Sequence, residues 1–393
     1  MKILHIITRL IVGGAQENTL LTCEGLHARG HDVTLLTGPS PGPEGSLMKR
    51  AEAAGYKVLV TPHLVRSPHP YHDLAAYHEI KTLVAATNPD IVHTHSSKAG
   101  ILGRAAAWKV KLKTRDSGLK TPLVFHTIHG LPFHPYQNAL INRAWITLER
   151  YAANRCDKII CVADAMTRQA LAAKVGRPEL LTTIYSGMEV DPFLHPPTTR
   201  EQVRAKYNIP PGAYVFGTLA RLQPLKGHDD LLATTATLFE KIPNAHLLWI
   251  GDGIFRPRFE QFLKDHKWQN RVTLTGLVPP TEVPALLPAM DALVHPSYRE
   301  GLARALPQAL LAGIPVISYD CDGAGEVCIE NKTGHLVPTG NAKALCSAMI
   351  ALAQNLHAAA AMGAFGRQFA LERFRATTMV EQIESLYRSL LPE

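Results

Sequence analysis

Arg221-Leu-Gln-Pro-Leu-Lys226-Gly227 sets a guanidinium and an ammonium on one short segment. A planar fork of donors beside a mobile point charge suits a diphosphate. The alternative is a solvated loop, but a Lys just ahead of a helix start is electrostatically misplaced, which favours a bound anion. Gly13-Gly14 and Glu300-Gly301-Leu302-Ala303 are two further candidate anion loops, because small residues before a helix let a ligand approach backbone N–H groups. Taken singly, each reads equally well as a tight turn. Gly251-Asp252-Gly253 is a fragment of a dinucleotide fingerprint, and neither GxGxxG nor GxxxxGK[ST] occurs.

Other groups carry weaker signals. His93-Thr94-His95, with His126, His129 and His134, imitates a metal cluster, and His93 and His95 share one face of a strand. No acid or Cys stands at ligand spacing, so no metal is expected there. His129 remains the histidine expected to bind a ligand. Asp320-Cys321-Asp322 has a spacing able to hold a divalent cation, but Asp is common in turns and a turn is the favoured reading. Asp164 reads as a helix N-cap. Six cysteines form no CxxC pair and read as buried, reduced thiols.

Positioning these residues requires elements, and the chain supplies them in alternation. Strands are expected over residues 3–8, 31–37, 57–60, 90–95, 122–127, 158–162 and 181–185, with helix-period stretches between them. The pattern dissolves between Gly187 and Gly212, then restarts with strands over 213–219, 245–251, 271–275, 291–295 and 315–319. A helix over about 304–312 tolerates Pro307 only in its first turn. Strand-helix alternation implies parallel sheets with right-handed crossovers, hence two α/β halves. A terminal helix is expected over 378–391.

The mean hydropathy of -0.01 and the 19% of charged residues describe an ordinary globular chain, which excludes whole-chain disorder and coiled coil. No run of about 18 apolar residues occurs to span a bilayer, and no nucleic-acid module is recognisable. The net charge of +8 favours anionic partners. Between Lys98 and Lys120 lie seven basic residues and one acid, Asp116. The stretch reads either as a solvated helix end or as contact with an anionic membrane surface, with Trp108 at the interface.

The ordered set Gly13-Gly14-Ala15, Arg221…Lys226-Gly227, Gly251-Asp252-Gly253, Pro296-Ser297…Glu300-Gly301 and Ala312-Gly313-Ile314-Pro315-Val316-Ile317 resembles the retaining GT-B glycosyltransferases of glycosyltransferase family 4. The resemblance covers nearly the whole chain. Asp90-Ile-Val-His-Thr-His-Ser-Ser-Lys-Ala-Gly100 and Thr127-Ile-His-Gly130 look like the first half of members that build bacterial surface glycans. It implies two Rossmann-like, doubly wound domains facing a cleft. Residues 1–190 would form the acceptor-side domain, 191–375 the nucleotide-sugar domain, and 376–393 a helix returning to the first.

The resemblance also implies roles. Arg221 and Lys226 would hold the donor diphosphate, Glu300 would accept hydrogen bonds from the donor sugar, and His129 would face that sugar. These four form the expected catalytic set. Gly13 and Gly14 would close on phosphate and sugar, Gly301, Leu302 and Ala303 would offer backbone N–H groups, and Val278 would pack the nucleobase. Where the family has a second Glu for the ribose, this chain has Gln308, which can hydrogen-bond hydroxyls without charge assistance. Leu302 and Ala303 replace the usual Phe-Gly. The implied activity is transfer from a nucleotide-sugar, UDP-sugar by frequency, to a glycan or lipid-linked acceptor by a cytoplasmic enzyme, without metal or cofactor. Acceptor contacts are expected on loops 38–45 and 131–138. Two rival readings share the scaffold: a non-catalytic nucleotide-sugar-binding subunit and a UDP-sugar epimerase.

Overall fold

The computed structural model describes every residue except 41, 43, 44, 116–119, 392 and 393. Pro41, Pro43 and Glu44 of the expected acceptor loop, and Asp116 of the basic stretch, therefore lie outside the described residues. The chain divides into two compact units: Met1–Met188 with Ala376–Glu393, and Glu189–Arg375.

In the first unit, β1 (Lys2–Ile7), β2 (Asp32–Thr37), β3 (Lys57–Val60), β4 (Ile91–His95), β5 (Leu123–Ile128), β6 (Lys158–Cys161) and β7 (Leu181–Thr183) form one parallel sheet. Its order is β3-β2-β1-β4-β5-β6-β7. Ile3, Leu4, Ile6 and Ile7 of β1 are buried, as are Ile91 and Val92 of β4. Burial of consecutive residues, on both faces of each strand, is what a parallel sheet covered on both sides requires. Helices α1 (Gly14–Ala28), α2 (Pro70–Thr87), α3 (Ser97–Thr114), α4 (Ala139–Ala153) and α5 (Asp164–Ala172) provide crossovers. Asp164 is the first residue inside α5 and Ala163 its cap, so the expected N-cap is corrected. The Asp164 carboxylate accepts instead from the Tyr185 hydroxyl at 2.9 Å, still at the end of the helix where negative charge is favoured.

The C-terminal helix, Ala376–Arg388, buries Met379, Val380, Ile383 and Tyr387 in this unit's core. That spacing is one helical stripe. Gly25 on α1 permits the approach, since a Cβ there would lie 2.6 Å from Val380. At the rim, Glu384 accepts from Arg29 at 2.6 Å and from Arg388 at 2.7 Å, and pairs with His31 at 3.0 Å. These partners, the Arg388 hydrogen bond foremost, bring its carboxyl down to about 2. Its ionised form therefore ties the chain end to the first unit above the ordinary carboxylate range.

In the second unit, β8 (Tyr214–Leu219), β9 (Ala245–Ile250), β10 (Val272–Leu274), β11 (Ala292–His295), β12 (Val316–Tyr319) and β13 (Gly334–Val337) form a parallel sheet in the order β10-β9-β8-β11-β12-β13. Helices α6 (His228–Lys241), α7 (Arg256–Asp265), α8 (Ala305–Leu311), α9 (Ala342–Gln354) and α10 (Leu356–Arg373) cover it. Helix α8 begins one residue later than expected and keeps Pro307 in its first turn. Strand β13 was not expected. It is the four-residue run Gly-His-Leu-Val. The six cysteines are buried and unpaired with one another. Among the described residues, no single helix is long and apolar enough to cross a membrane.

Candidate functional site

Strand order reverses between β1 and β4 in the first sheet and between β8 and β11 in the second. Loops leaving the carboxyl ends of strands diverge at such switch points and leave a crevice where ligands bind. Most of the candidate residues lie on these loops. Gly13-Gly14 follows β1, Ser96 follows β4, the segment 221–227 follows β8, and Glu300 follows β11.

In the second unit, Glu300 is the centre. Its Oε1 lies 2.5 Å from Lys226 Nζ and accepts from His295 Nε2 at 3.1 Å. Burial opposes ionisation of this carboxyl, but the Lys226 charge and the hydrogen bonds from His295 and Lys226 outweigh it and hold it well below the usual carboxylate range. The Glu300 N–H donates to Asp322 Oδ2 at 2.7 Å, and Gly323 N–H donates to Gly301 O at 3.2 Å. Asp322 adopts φ 47°, a left-handed conformation that Asp tolerates. The second acid of the DxD triplet thus holds the Glu300 loop in place through its backbone.

The cation loop is built just as locally. Leu225 and Gly227 both have left-handed backbones, with φ 65° and 73°. A Cβ on Gly227 would lie 1.9 Å from Pro296 O, so only glycine fits. The Leu225 carbonyl accepts from Ser297 Oγ at 3.1 Å and from Tyr298 N–H at 2.9 Å, which stitches the loop after β8 to the loop after β11. Asp230 at the start of α6 accepts from the Tyr298 and Tyr319 hydroxyls at 2.6 and 2.7 Å. Lys226 and Arg221 are not paired side by side as a free bracket. Lys226 is committed to Glu300, whereas Arg221 is exposed and has no side-chain partner among the described residues. Leu302 and Ala303 bury their side chains, so only their backbone remains to meet a ligand. Gln308 and Val278 are half-buried, on α8 and on the loop after β10.

In the first unit, helix α1 begins at Gly14 with Gly13 as its extended cap. Thr8 Oγ1 and Ser96 Oγ share a hydrogen bond of 2.8 Å that ties the ends of β1 and β4 together. Ser96 holds φ 62°, a strained backbone for a residue with a side chain. A cavity of about 240 Å³ opens here, walled by Ser96, His126, His129, Leu131 and Glu149 among others. Of the histidines singled out, the structure brings His95 and His129 together, with His95 Nδ1 and His129 Nε2 at 3.1 Å. His126 pairs instead with Thr94 Oγ1, at 2.9 Å. The missing member is His5, whose Nδ1 lies 3.0 Å from His95 Nε2. His5, His93 and His95 gather their ligand atoms within 4.8 Å of one another. His5 and His95 bond each other, and His93 bonds the Tyr387 hydroxyl at 2.5 Å and Thr127 Oγ1 at 2.7 Å, which leaves His5 Nε2 buried without a partner among the described residues.

Sequence reasoning missed His5 and His295, and it read Asp322 as a turn residue without its hold on the Glu300 loop. His295 had a signal, since it closes β11 just before the Glu300 loop. His5 had none, because its partner is fixed by the parallel register that sets His5 beside His93. Part of the basic stretch is tied up in ion pairs. Lys98, Arg104, Lys111 and Lys120 pair with Asp73, Glu149, Asp157 and Asp90, and only Lys109, Lys113 and Arg115 of the remainder lie exposed.

Two family models match the chain: Glycosyltransferase Family 4 over residues 12–192 and Glycosyl transferases group 1 over residues 199–369. The chain is 25% identical over 354 residues to the UDP-Gal:alpha-D-GlcNAc-diphosphoundecaprenol alpha-1,3-galactosyltransferase of Escherichia coli, spanning 89% of this chain and 87% of that one. It is 26% identical over 373 residues to the GDP-mannose-dependent alpha-(1-6)-phosphatidylinositol monomannoside mannosyltransferase of Mycobacterium tuberculosis, spanning 92% and 90%. Anabaena Alr3699/HepE, solved in complex with UDP, shares the fold with a TM-score of 0.82 at 21% identity, over 99% of this chain and 100% of that one.

Proposed function

The chain belongs to the GT-B glycosyltransferases of family 4 type, and from that premise we propose that it moves a sugar from a nucleotide-sugar to a glycan or lipid-linked acceptor with retention of anomeric configuration. A UDP-sugar is the first choice of donor, and surface polysaccharide or glycoconjugate synthesis at the cytoplasmic face of the membrane is the setting. The observation that carries the reading is the Glu300 carboxylate, fixed in its ionised form by Lys226 and His295, with the exposed Arg221 on the same loop as Lys226. A sugar nucleotide brings its own leaving group, so the protein must chiefly supply positive charge where the diphosphate gains negative charge. Arg221 and Lys226 do this. As the C1–O bond to phosphate breaks, the acceptor oxygen bonds C1 on the same face and passes its proton to a departing phosphate oxygen. Glu300, unable to donate a proton while ionised, accepts hydrogen bonds from donor-sugar hydroxyls. His129 and the Gly13-Gly14 loop serve the transferred sugar, Val278 the base and Gln308 the ribose. No divalent cation is needed at Asp320–Asp322, a reading supported by the commitment of one Asp322 oxygen to the Glu300 backbone. That both relatives named above act on lipid-linked acceptors supports the acceptor class.

A thermal-shift screen of UDP- and GDP-sugars in EDTA tests this, since a ligand that binds only the folded state raises Tm. One donor is expected to stabilise the protein and, with a lipid-diphosphate acceptor present, to yield product of unchanged anomeric configuration. Binding without transfer would favour the non-catalytic subunit, and a converted donor without acceptor the epimerase.

We assign the membrane contact to α4 together with the exposed end of α3. Leu140, Ile141, Leu148 and Tyr151 of α4 are exposed, Leu140 to 77%. Its one acid, Glu149, is buried against Arg104, while Arg143 and Arg150 are exposed. Leu112, Lys109 and Lys113 of α3 are also exposed. Exposed apolar side chains among uncompensated cations suit an anionic bilayer surface. Affinity for anionic vesicles, measured by co-sedimentation, is expected to fall by about 100-fold or more when Lys109, Lys113 and Arg143 are replaced by Glu, at about 1 kcal/mol lost per cation near the surface. Undiminished binding removes the assignment.

A further inference from the structure

His5, His95 and His129 stand in file from the interior of the first sheet to the wall of the cavity. We propose that His5 and His95 are positioning residues that fix the ring and the tautomer of His129, so that His129 carries its proton on Nδ1 and presents Nε2 only as an acceptor to His95. The proposal rests on the reading above in which His129 serves the transferred sugar.

The argument is a proton count. His5 and His95 are fully or almost fully buried, at 0% and 1% exposure. Burial pushes His5 down to about 3 and His95 well below the imidazole range, so both rings are neutral at physiological pH. A neutral imidazole donates at one nitrogen and accepts at the other. The two hydrogen bonds of the file must therefore run in the same direction. If they run inward, His129 donates to His95, His95 to His5, and His5 is left with an Nε2–H. That nitrogen is buried and has no partner among the described residues. If they run outward, His5 Nδ1–H donates to His95 Nε2, and His95 Nδ1–H donates to His129 Nε2. The unpartnered atom of His5 is then a bare lone pair. Buried N–H groups without acceptors are rarer than under-used acceptors, so the outward direction wins.

The rest of the packing holds the file in register. His93 stacks on His95 with ring centroids 4.3 Å apart, and both its nitrogens are engaged by Tyr387 and Thr127. It therefore buttresses the file without offering it a proton. The hydroxyl of Tyr387 reaches His93 from the C-terminal helix, so the end of the chain supports the same cluster. A His129 locked in one tautomer offers a ligand hydroxyl a fixed hydrogen-bonding polarity, which a freely rotating ring would have to select on each encounter.

The test reads the tautomer directly. In protein with isotope-labelled histidine, long-range proton–nitrogen NMR correlations assign the proton of each ring, and loss of one signal in His129→Asn identifies that residue. The wild-type protein is expected to carry the His129 proton on Nδ1. His5→Leu, which removes the first donor, is expected to move that proton to a mixture of both nitrogens and lower kcat about tenfold, the worth of one hydrogen bond, with donor KM within about twofold. His5→Asn, whose amide can occupy the place of Nδ1 and donate, is expected to restore most of kcat. Tyr387→Phe perturbs the same core without touching the file and is expected to leave the tautomer unchanged. A wild-type His129 protonated on Nε2, or an unchanged tautomer in folded His5→Leu, overturns the proposal. Full turnover by His129→Asn would instead overturn the assignment of His129 to the sugar, a separate failure that the NMR result does not share.

Discussion

Arg221→Ala is expected to abolish the nucleotide-dependent rise in Tm and to lower kcat/KM by about 100- to 1000-fold, the range for removing one preorganised donor from a developing anion. The size of the effect follows from how the two cations are deployed. Lys226 is already held by Glu300 at 2.5 Å, so part of its field is spent inside the protein. Arg221 is exposed and has no side-chain partner among the described residues, so its full charge and its fork of donors are available to a diphosphate. The same exposure predicts that the unliganded variant keeps its stability within about 0.5 kcal/mol. Lys226→Ala should behave differently. It strips the charge from beside a largely buried carboxylate, and breaking such a pair costs up to about 3 kcal/mol where the remaining charge stays desolvated. Differential scanning with and without nucleotide separates the two variants: one loses only the shift, the other loses baseline stability as well. A nucleotide shift that survives in Arg221→Ala would mean that the diphosphate is held elsewhere.

What the sequence made legible was local. Ile3 to Ile7 announces a buried strand through its apolar residues, and the Gly13-Gly14 and Glu300-Gly301 loops announce themselves through small residues at strand-helix junctions. Glu300, Arg221 and Lys226 could be named because residue type and neighbours carried the signal. Their pairing could not. Whether Lys226 faces a ligand or Glu300 depends on the hydrogen bonds from Ser297 and Tyr298 that dock the Leu225 carbonyl, and on a Gly227 backbone pressed against Pro296. Those contacts join separate strand ends, and no spacing encodes them. His5 shows the same limit. It looks like one polar residue in an apolar strand until the register of β1 on β4 sets it beside His93, within reach of His95. Asp322 likewise reads as an ordinary turn acid, because the N–H it accepts from belongs to Glu300, on the loop after another strand. The basic stretch was legible as charge but not as pairing. Composition shows seven cations there, but not that Lys98, Arg104, Lys111 and Lys120 each sit in an ion pair.

Glu300→Gln is expected to lower kcat by about 100-fold or more while changing nucleotide affinity by less than about threefold, because it weakens hydrogen bonds to the sugar that tighten in the transition state. The amide keeps the shape of the side chain and can still accept from Lys226 and His295, so the loop pinned by Asp322 should stay in place. What is lost is the negative charge, and that loss has a second, independent readout. The Glu300 carboxyl is held below its ordinary value in the folded protein. It therefore contributes stability that is fully present above the unfolded-state value of about 4.3 and is lost as pH falls toward the folded-state value. Stability of the wild type should fall between about pH 5 and pH 3 more steeply than that of Glu300→Gln. Glu384, also lowered, remains in both proteins and cancels in the comparison. Urea midpoints taken across that range measure the difference. Parallel curves would show that Lys226 and His295 do not hold Glu300 ionised. The carboxyl would then be free to carry a proton, and a role as general acid would have to be considered.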